Sequence, residues 1–426
     1  MTNRRYPELL TLTEVAEMLR CHPNTLRKWD AQGLLPAIKI GTKGTRRYRS
    51  QDVERLLQGL DESGASDTVS VVDLFSGCGG LSHGFSKAGF RVLLGVDNWA
   101  LSLETFSRNH PGAKILAADL GNLEPTVIAE STGVTPGMVD VVVGGPPCQG
   151  FSISGKRNPE DPRNALYQSF VKFVAHYRPR AFLLENVPNL LSMAGGLYKR
   201  QIIQEFEALG YSVSYAKLLA SDYGVPQNRR RVMFVGILGG PQFVFPMPTH
   251  GEDRALLPRV SCWDAISDLP EHDVQDGTAY SEGARSKYQL VMRQGSAGVY
   301  NHETIKHSEK TKEIVALVPD GGNYKDLPRE LQNTRRVNIA WTRFYSKKPS
   351  HTIDTGHNHH FHYEYNRVPT ARESARLQSF QDNFIFCGKK NEQIKQVGNA
   401  VPPLLAEVVA RALGAHIAQQ FNSNKV

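Results

Sequence analysis

Five apolar runs, each stopped abruptly by glycine, proline or an acid, set the strongest limit on what this chain can fold into. Val69 to Leu74, broken by Asp73, runs into Phe75-Ser76-Gly77-Cys78-Gly79-Gly80-Leu81. Arg91 to Val96 stops at Asp97, and Lys114 to Ala118 stops at Asp119. Val139 and Val141 to Val143 end in Gly144-Gly145-Pro146-Pro147-Cys148-Gln149-Gly150, and Phe182 to Leu184 end at Glu185-Asn186-Val187. Short apolar runs bounded by turn residues read as buried strands. A presumptive helix from Ser82 to Ala88 completes a first β-α unit. The expected fold class is therefore α/β, a Rossmann-like open parallel sheet whose ligand crevice lies at the carboxyl ends of its strands.

The residues at those strand ends suggest a ligand. The glycine turn is not G-x-G-x-x-G and lacks the Lys and Ser/Thr of a phosphate loop, so dinucleotides and nucleoside triphosphates fit poorly. Asp97, ending the second strand, is placed to accept both ribose hydroxyls, and Asp119, ending the third, to meet an adenine amino group. Together they favour an adenosine ligand. Cys148 and Glu185 put a thiol and an acid at the next two strand ends, a nucleophile facing a proton donor.

Bulk properties narrow the setting. The five cysteines are scattered without C-x-x-C spacing, which argues against a disulfide framework or a cysteine zinc site and for a reducing cytoplasm. No apolar run approaches the roughly 20 residues of a membrane helix, and no apolar core follows Arg4 and Arg5 to make a signal peptide. The formal net charge is +8. The first 60 residues hold eleven Lys and Arg against six Asp and Glu, five of that excess of eight. Such concentration suits phosphate contact.

That front segment reads as a small DNA-binding module. Thr13 is placed to cap a first helix, Asn24 a second carrying Arg27 and Lys28, and Ser50 a third, with basic Lys43 to Arg49 between them. The stretch Leu12 to Ala16, with Leu26 to Trp29, Gly33 to Pro36 and Arg46-Arg47-Tyr48, resembles the winged helix-turn-helix of the MerR and excisionase families. Arg27, Lys28, Arg46 and Arg47 are its expected DNA contacts.

From Val69 onward the chain resembles the DNA cytosine-5 methyltransferase family. Asp73 to Gly80 matches the family's cofactor loop, Pro146-Pro147-Cys148-Gln149 its nucleophile loop, and Glu185-Asn186-Val187 its proton-donating carboxylate. Gln227-Asn228-Arg229-Arg230-Arg231 matches its Q-x-R-x-R element. The residues Arg367, Thr370, Arg372, Glu373, Ala375, Arg376, Leu377 and Gln378 match its long helix-forming motif, and Gln396 to Pro402 its last motif. Asp97 stands where many relatives carry Glu, and Ala400 replaces a frequent Ser.

The resemblance implies a function and a layout. S-adenosylmethionine would be held by Phe75, Gly77, Gly79, Gly80, Leu81, Asp97, Asn98, Asp119, Pro146, Asn399 and Val401. Cys148 would add to C6 of a cytosine flipped out of double-stranded DNA, while Glu185, in its protonated form, relieves charge at N3. Arg229 and Arg231 would contact the cytosine carbonyl, the phosphates or the loop. Ser152, Ser154, Lys156 and Arg157 lie on a polar loop expected to close over the base and contact DNA. The implied domains are 1–62 (winged helix-turn-helix), a linker at 63–68, a catalytic domain at 69–240, a smaller loop-rich target recognition region at 241–362, and a return to the catalytic domain at 363–426. Within 241–362, Lys306, His307, Asn323, Tyr324, Arg343 and the run from Thr352 to His362 are candidate DNA contacts. His357, His359, His360 and His362 read as a DNA-facing loop rather than a metal site, since no cysteine or paired carboxylate joins them. The expected partners are duplex DNA and a cognate restriction endonuclease without stable complex, with the enzyme acting as a monomer in a bacterial cytoplasm. Two other functions stay open from sequence: RNA cytosine-5 methylation, and transcriptional regulation with secondary catalysis.

Overall fold

A computed structural model describes residues 9–18, 23–31, 35–40, 44–53, 68–147, 166–334, 341–356 and 359–423. In the front module β1 (Leu9–Thr11), α1 (Leu12–Met18), α2 (Pro23–Ala31), β2 (Ile38–Ile40) and β3 (Thr45–Arg49) follow one another, and the chain is helical again at 50–53. β3 pairs antiparallel with both β1 and β2. Leu10, Val15, Leu26, Leu35, Tyr48 and Val53 are buried together and form its core. The first cap is Thr11 rather than Thr13. Thr11 Oγ1 accepts from the Glu14 amide at 3.1 Å and Glu14 Oε2 from the Thr11 amide at 2.7 Å, a reciprocal capping box. Asn24 lies inside α2, which opens at Pro23, a residue pre-set for a first helical turn.

The catalytic half is built on β4 (Ser70–Leu74), α3 (Gly80–Lys87), β5 (Arg91–Asp97), α4 (Ala100–Asn109), β6 (Lys114–Ala117), α5 (Pro125–Thr132), β7 (Val141–Gly144), α6 (Leu166–Tyr177), β8 (Ala181–Asn186), α7 (Leu197–Ala208), β9 (Tyr211–Leu219) and β10 (Arg230–Leu238). Its seven-stranded sheet has the order β6-β5-β4-β7-β8-β10-β9. The first five of these strands pair in parallel, as helical crossovers allow. β10 runs antiparallel to both β8 and β9, so the sheet is mixed where the sequence suggests an all-parallel one. No helix long enough for a crossover separates β9 from β10, and a short connection returns the chain antiparallel. That reversal sets Met233 opposite Glu185 and brings the Q-x-R-x-R element to the carboxyl end of β8.

Two apolar layers sandwich the sheet. On one face α13 (Pro403–Ser423), which follows α8 (Cys262–Ile266), α9 (Lys287–Met292), α10 (Glu309–Ala316), β11 (Thr342–Arg343), β12 (His360–Phe361), α11 (Ala371–Leu377) and α12 (Lys390–Asn399), packs against α3. Gly84 permits that approach, since a Cβ there would lie 2.4 Å from Ala406 Cβ. The stretch Lys390–Gln419 is apolar and long enough to cross a membrane by length and composition, contrary to expectation. Of its apolar window 78% is buried in the protein, as in a core helix.

The region after β10 has few regular elements. Part of it shares a core with the C-terminal motifs: Cys262, Ile266 and Phe344 pack with Ala375, Leu377, Phe380 and Cys78. The long helix-forming motif is a helix of seven residues. Its charged side chains point inward. Arg376 donates to Asp268 and Asp382 at 2.7 Å each, and Arg367 forks onto both Glu373 oxygens at 2.7 Å. Arg367 holds the buried Glu373 carboxyl well below the usual carboxylate range, against the opposing pull of burial.

Candidate active site

The turn after β4 is built from left-handed residues. Phe75 has φ of 59°, Gly77 of 52° and Gly79 of 95°. The Gly77 amide donates to Asp97 Oδ2 at 2.8 Å and the Trp99 amide to Asp97 Oδ1 at 2.9 Å. The acid ending β5 is therefore tied to the glycine turn. Burial pushes its pKa up, opposed by these backbone amides. Asp119, past β6, accepts from the Gly121 amide at 3.0 Å and Asn122 Nδ2 at 2.9 Å, forming a local turn.

Beneath the turn, Asp73 is fully buried in β4 and accepts from Ser82 Oγ at 2.7 Å. Burial pushes its pKa up to about 7.

Glu185 is 8% exposed, and Arg231 Nε lies 2.6 Å from its Oε1. A Cβ on Gly145 would come within 2.8 Å of Glu185 Oε2, so glycine is what lets the end of β7 pass the carboxylate. Asn186 Nδ2 donates to Pro146 O at 3.2 Å, pinning the chain two residues before Cys148. Arg229 is 1% exposed and donates through Nη2 to Gly398 O at 2.8 Å, while its buried Nε has no hydrogen-bond partner among the described residues. Burial and the like charge of Arg231 both disfavour the Arg229 cation, which Glu185 supports.

These groups share one cleft. Phe75, Gly77, Gly80, Leu81, Asp97, Asn98, Asp119, Pro146, Asn399 and Val401 line it together with Glu185, Arg229 and Arg231. Gly79, also expected at the cofactor, completes the turn at its left-handed φ of 95°. A Cβ on it would meet His110 Nε2 and Phe106 Cδ2 at 2.9 Å. Cys148, Ser152, Ser154, Lys156 and Arg157 lie outside the described residues, as does the side chain of Lys28.

Several expected DNA contacts have hydrogen-bond or ion-pair partners within the chain. Arg343 is 4% exposed and donates to Val318 O, His362 O, Val315 O and Asn366 Oδ1 at 2.6–2.9 Å, so its guanidinium is spent inside the protein. His362 is buried and accepts the Glu364 and Tyr365 amides on Nδ1. Asn323 caps a short turn, and His307 Nε2 accepts the Val368 amide. In the front module Arg27 is exposed, while Arg46 is paired with Asp30 at 2.7 Å and Arg47 donates to Arg46 O.

The cleft also has walls that sequence did not single out, Trp99, His351 and Lys395, and it takes in Thr352 and Asp354 of the run expected to contact DNA, with Gly398 of the last motif. Trp99 follows a strand end, a signal the same logic would have found. The position of the 351–354 stretch in the cleft is set by Gln227. Gln227 Oε1 accepts the Ile353 amide at 3.1 Å, and its Nε2 donates to Leu377 O at 3.2 Å and to Gln378. One buried amide thus joins the residues leading into β10, the 351–354 stretch and the end of α11.

The mixed sheet, the glycine turn and the strand-end acids define a Rossmann-like α/β methyltransferase fold. The C-5 cytosine-specific DNA methylase family matches residues 69–415, and a helix-turn-helix domain family matches residues 9–61. The chain is 37% identical over 370 residues to the Type II methyltransferase M.DdeI of Desulfomicrobium norvegicum, covering 81% of this chain and 88% of that protein. It is 38% identical over 349 residues to M1.HphI of Haemophilus parahaemolyticus, covering 81% and 87%. A solved E. coli structure of a prophage-encoded DNA modification methyltransferase matches with a TM-score of 0.66 and 26% identity, over 82% of this chain and all of that one. The chain belongs to the C-5 cytosine-specific DNA methylase family and is a DNA cytosine-5 methyltransferase.

Proposed function

We propose that the cleft methylates one cytosine within a specific duplex sequence by covalent catalysis from Cys148. The observation that carries this reading is the shared cleft: Pro146, two residues before Cys148, lies on the same wall system as Glu185 and Arg231. The Cys148 thiolate adds to C6 of the flipped cytosine, which makes C5 nucleophilic. Glu185 in its protonated form gives its proton to N3 as charge builds there. Arg231, whose Nε lies 2.6 Å from Glu185 Oε1, fixes where that carboxyl group points. After C5 takes the methyl group, loss of its proton and of the thiol restores the aromatic ring.

The cleft fits S-adenosylmethionine, the donor the family implies. A Cβ on Gly77 would meet nothing within 4 Å, leaving room against the turn, and the Asp97 carboxylate lines the same space. Phe75, Gly77, Gly80, Leu81, Asp97, Asn98, Asp119, Pro146, Asn399 and Val401 would hold it, and when bound it supplies a methyl group activated by a sulfonium. Ser152, Ser154, Lys156 and Arg157 contact DNA beside the base. The enzyme works as a monomer in the bacterial cytoplasm, as the modification partner of a restriction endonuclease. The front module, through exposed Arg27, represses the chain's own operon.

Bisulfite sequencing of DNA from cells expressing the chain tests this reading. One cytosine context should resist conversion with the wild type and convert fully with Cys148→Ser. Full conversion with the wild type, together with methyl label in RNA, would overturn it.

A further inference from the structure

Three aromatic rings form a row that ends in the cleft. Phe344 and His360 stack with centroids 5.6 Å apart and planes at 23°, and His360 and His351 with centroids 5.5 Å apart and planes at 14°. Exposure rises along the row. Phe344 is fully buried, His360 is half-buried and His351 is exposed. His351 and His360 both line the cleft that contains Glu185 and Arg231.

The outer ring has a rigid mount. The Ser350 amide donates to Pro226 O at 2.9 Å, and the Asn228 amide returns a bond to Ser350 O at 2.8 Å. Thr352 Oγ1 donates to Asn228 O at 3.2 Å, and the Ile353 amide to Gln227 Oε1. His351 is therefore fixed to the residues that lead into Arg229. Partial covering of the His351 ring and burial of the His360 ring lower both pKa values, so near neutral pH the row offers aromatic faces rather than cations. A planar ring with its inner face already stacked and its outer side open is suited to a second flat ring, and any nucleobase supplies one.

We propose that His351 is a stacking platform for a nucleobase drawn out of the duplex at the methylation site. This rests on the reading that the target strand enters this cleft. It assigns a specific contact to a residue outside the motifs that carry the family resemblance.

The test uses the full chain and a duplex carrying the sequence found by bisulfite sequencing, with 2-aminopurine at or beside the target cytosine. Stacking on His351 quenches that fluorophore. His351→Ala should lose the quenching and weaken binding about tenfold, whereas His351→Phe should retain both. Melting temperatures of the variants identify any that fail to fold, and His351→Asn serves as the second variant. Wild-type binding by His351→Ala would overturn the proposal. So would retention by His351→Asn with loss by His351→Phe, which would mark a hydrogen bond in place of stacking. Glu185→Gln separates this from the reading of the cleft. If that variant still methylates at the wild-type rate, the cleft assignment fails, whatever His351 does.

Discussion

Arg231 and Glu185 meet 2.6 Å apart across the antiparallel boundary between β10 and β8, with both side chains largely buried. A parallel strand at that position would carry the arginines to the far edge of the sheet. The reversal of one strand therefore places a cation beside the carboxylate at the end of β8.

Glu185→Gln should lower methyl transfer by about two to four orders of magnitude, the usual worth of a positioned acid. Binding of S-adenosylmethionine, measured by calorimetry, should stay within about twofold. A parallel loss of cofactor affinity would mean that Glu185 organises the cleft rather than serving the base.

Gly145→Ala tests the same carboxylate from the other side. Its Cβ would press on Glu185 Oε2 from 2.8 Å, and a displacement of about 1 Å at a reacting group costs about a hundredfold in rate. Single-turnover methylation should fall to that extent with melting temperature nearly unchanged. Wild-type rates would show that the carboxylate position is not critical.

Asp97→Ala should weaken S-adenosylmethionine by about tenfold to a hundredfold, since it removes the strand-end acceptor and frees the Gly77 and Trp99 amides. Titration by calorimetry or by Trp99 fluorescence reads this directly. Unchanged affinity would remove Asp97 from the cofactor site.

Asp73 predicts a pH signature of stability. Its folded-state pKa, about 7, lies above the 3.8 of an ordinary aspartate, so the folded state binds the extra proton between those values. Its contribution is present in full below the unfolded pKa and is lost as pH rises toward 7. The melting temperature of the wild type should fall relative to Asp73→Asn between about pH 4 and pH 7. Parallel curves across that window would contradict the assignment.

Arg376→Leu should cost about 3–5 kcal/mol, because it leaves Asp268 and Asp382 buried without their cation. Denaturant unfolding measures it. A change under about 1 kcal/mol would show that the acids find other partners or protons.

The strand ends are legible in the sequence because each apolar run stops at a residue that the crevice uses. Asp97, Glu185 and Pro146 all sit where that punctuation puts them. The reversal of β10 is not legible, since an apolar run carries no direction. Nor is the fate of an arginine: Arg343 and Arg376 look like DNA-facing or motif cations, yet Arg343 is satisfied by oxygens 19 to 28 residues away and Arg376 by Asp268 and Ala265 more than a hundred residues upstream as well as by nearby Asp382. The placement of 351–354 in the cleft is likewise not legible, since Gln227 fixes it from more than a hundred residues upstream.

The most direct measurement uses duplex DNA with 5-fluorocytosine at the methylated position, incubated with the enzyme and S-adenosylmethionine and analysed by peptide mass mapping. Fluorine at C5 cannot leave as a proton does, so the enzyme should remain bonded to C6. The account predicts a stable adduct on the peptide containing Cys148. An adduct on another cysteine, or no adduct with a chain that methylates ordinary cytosine at the same site, would contradict it.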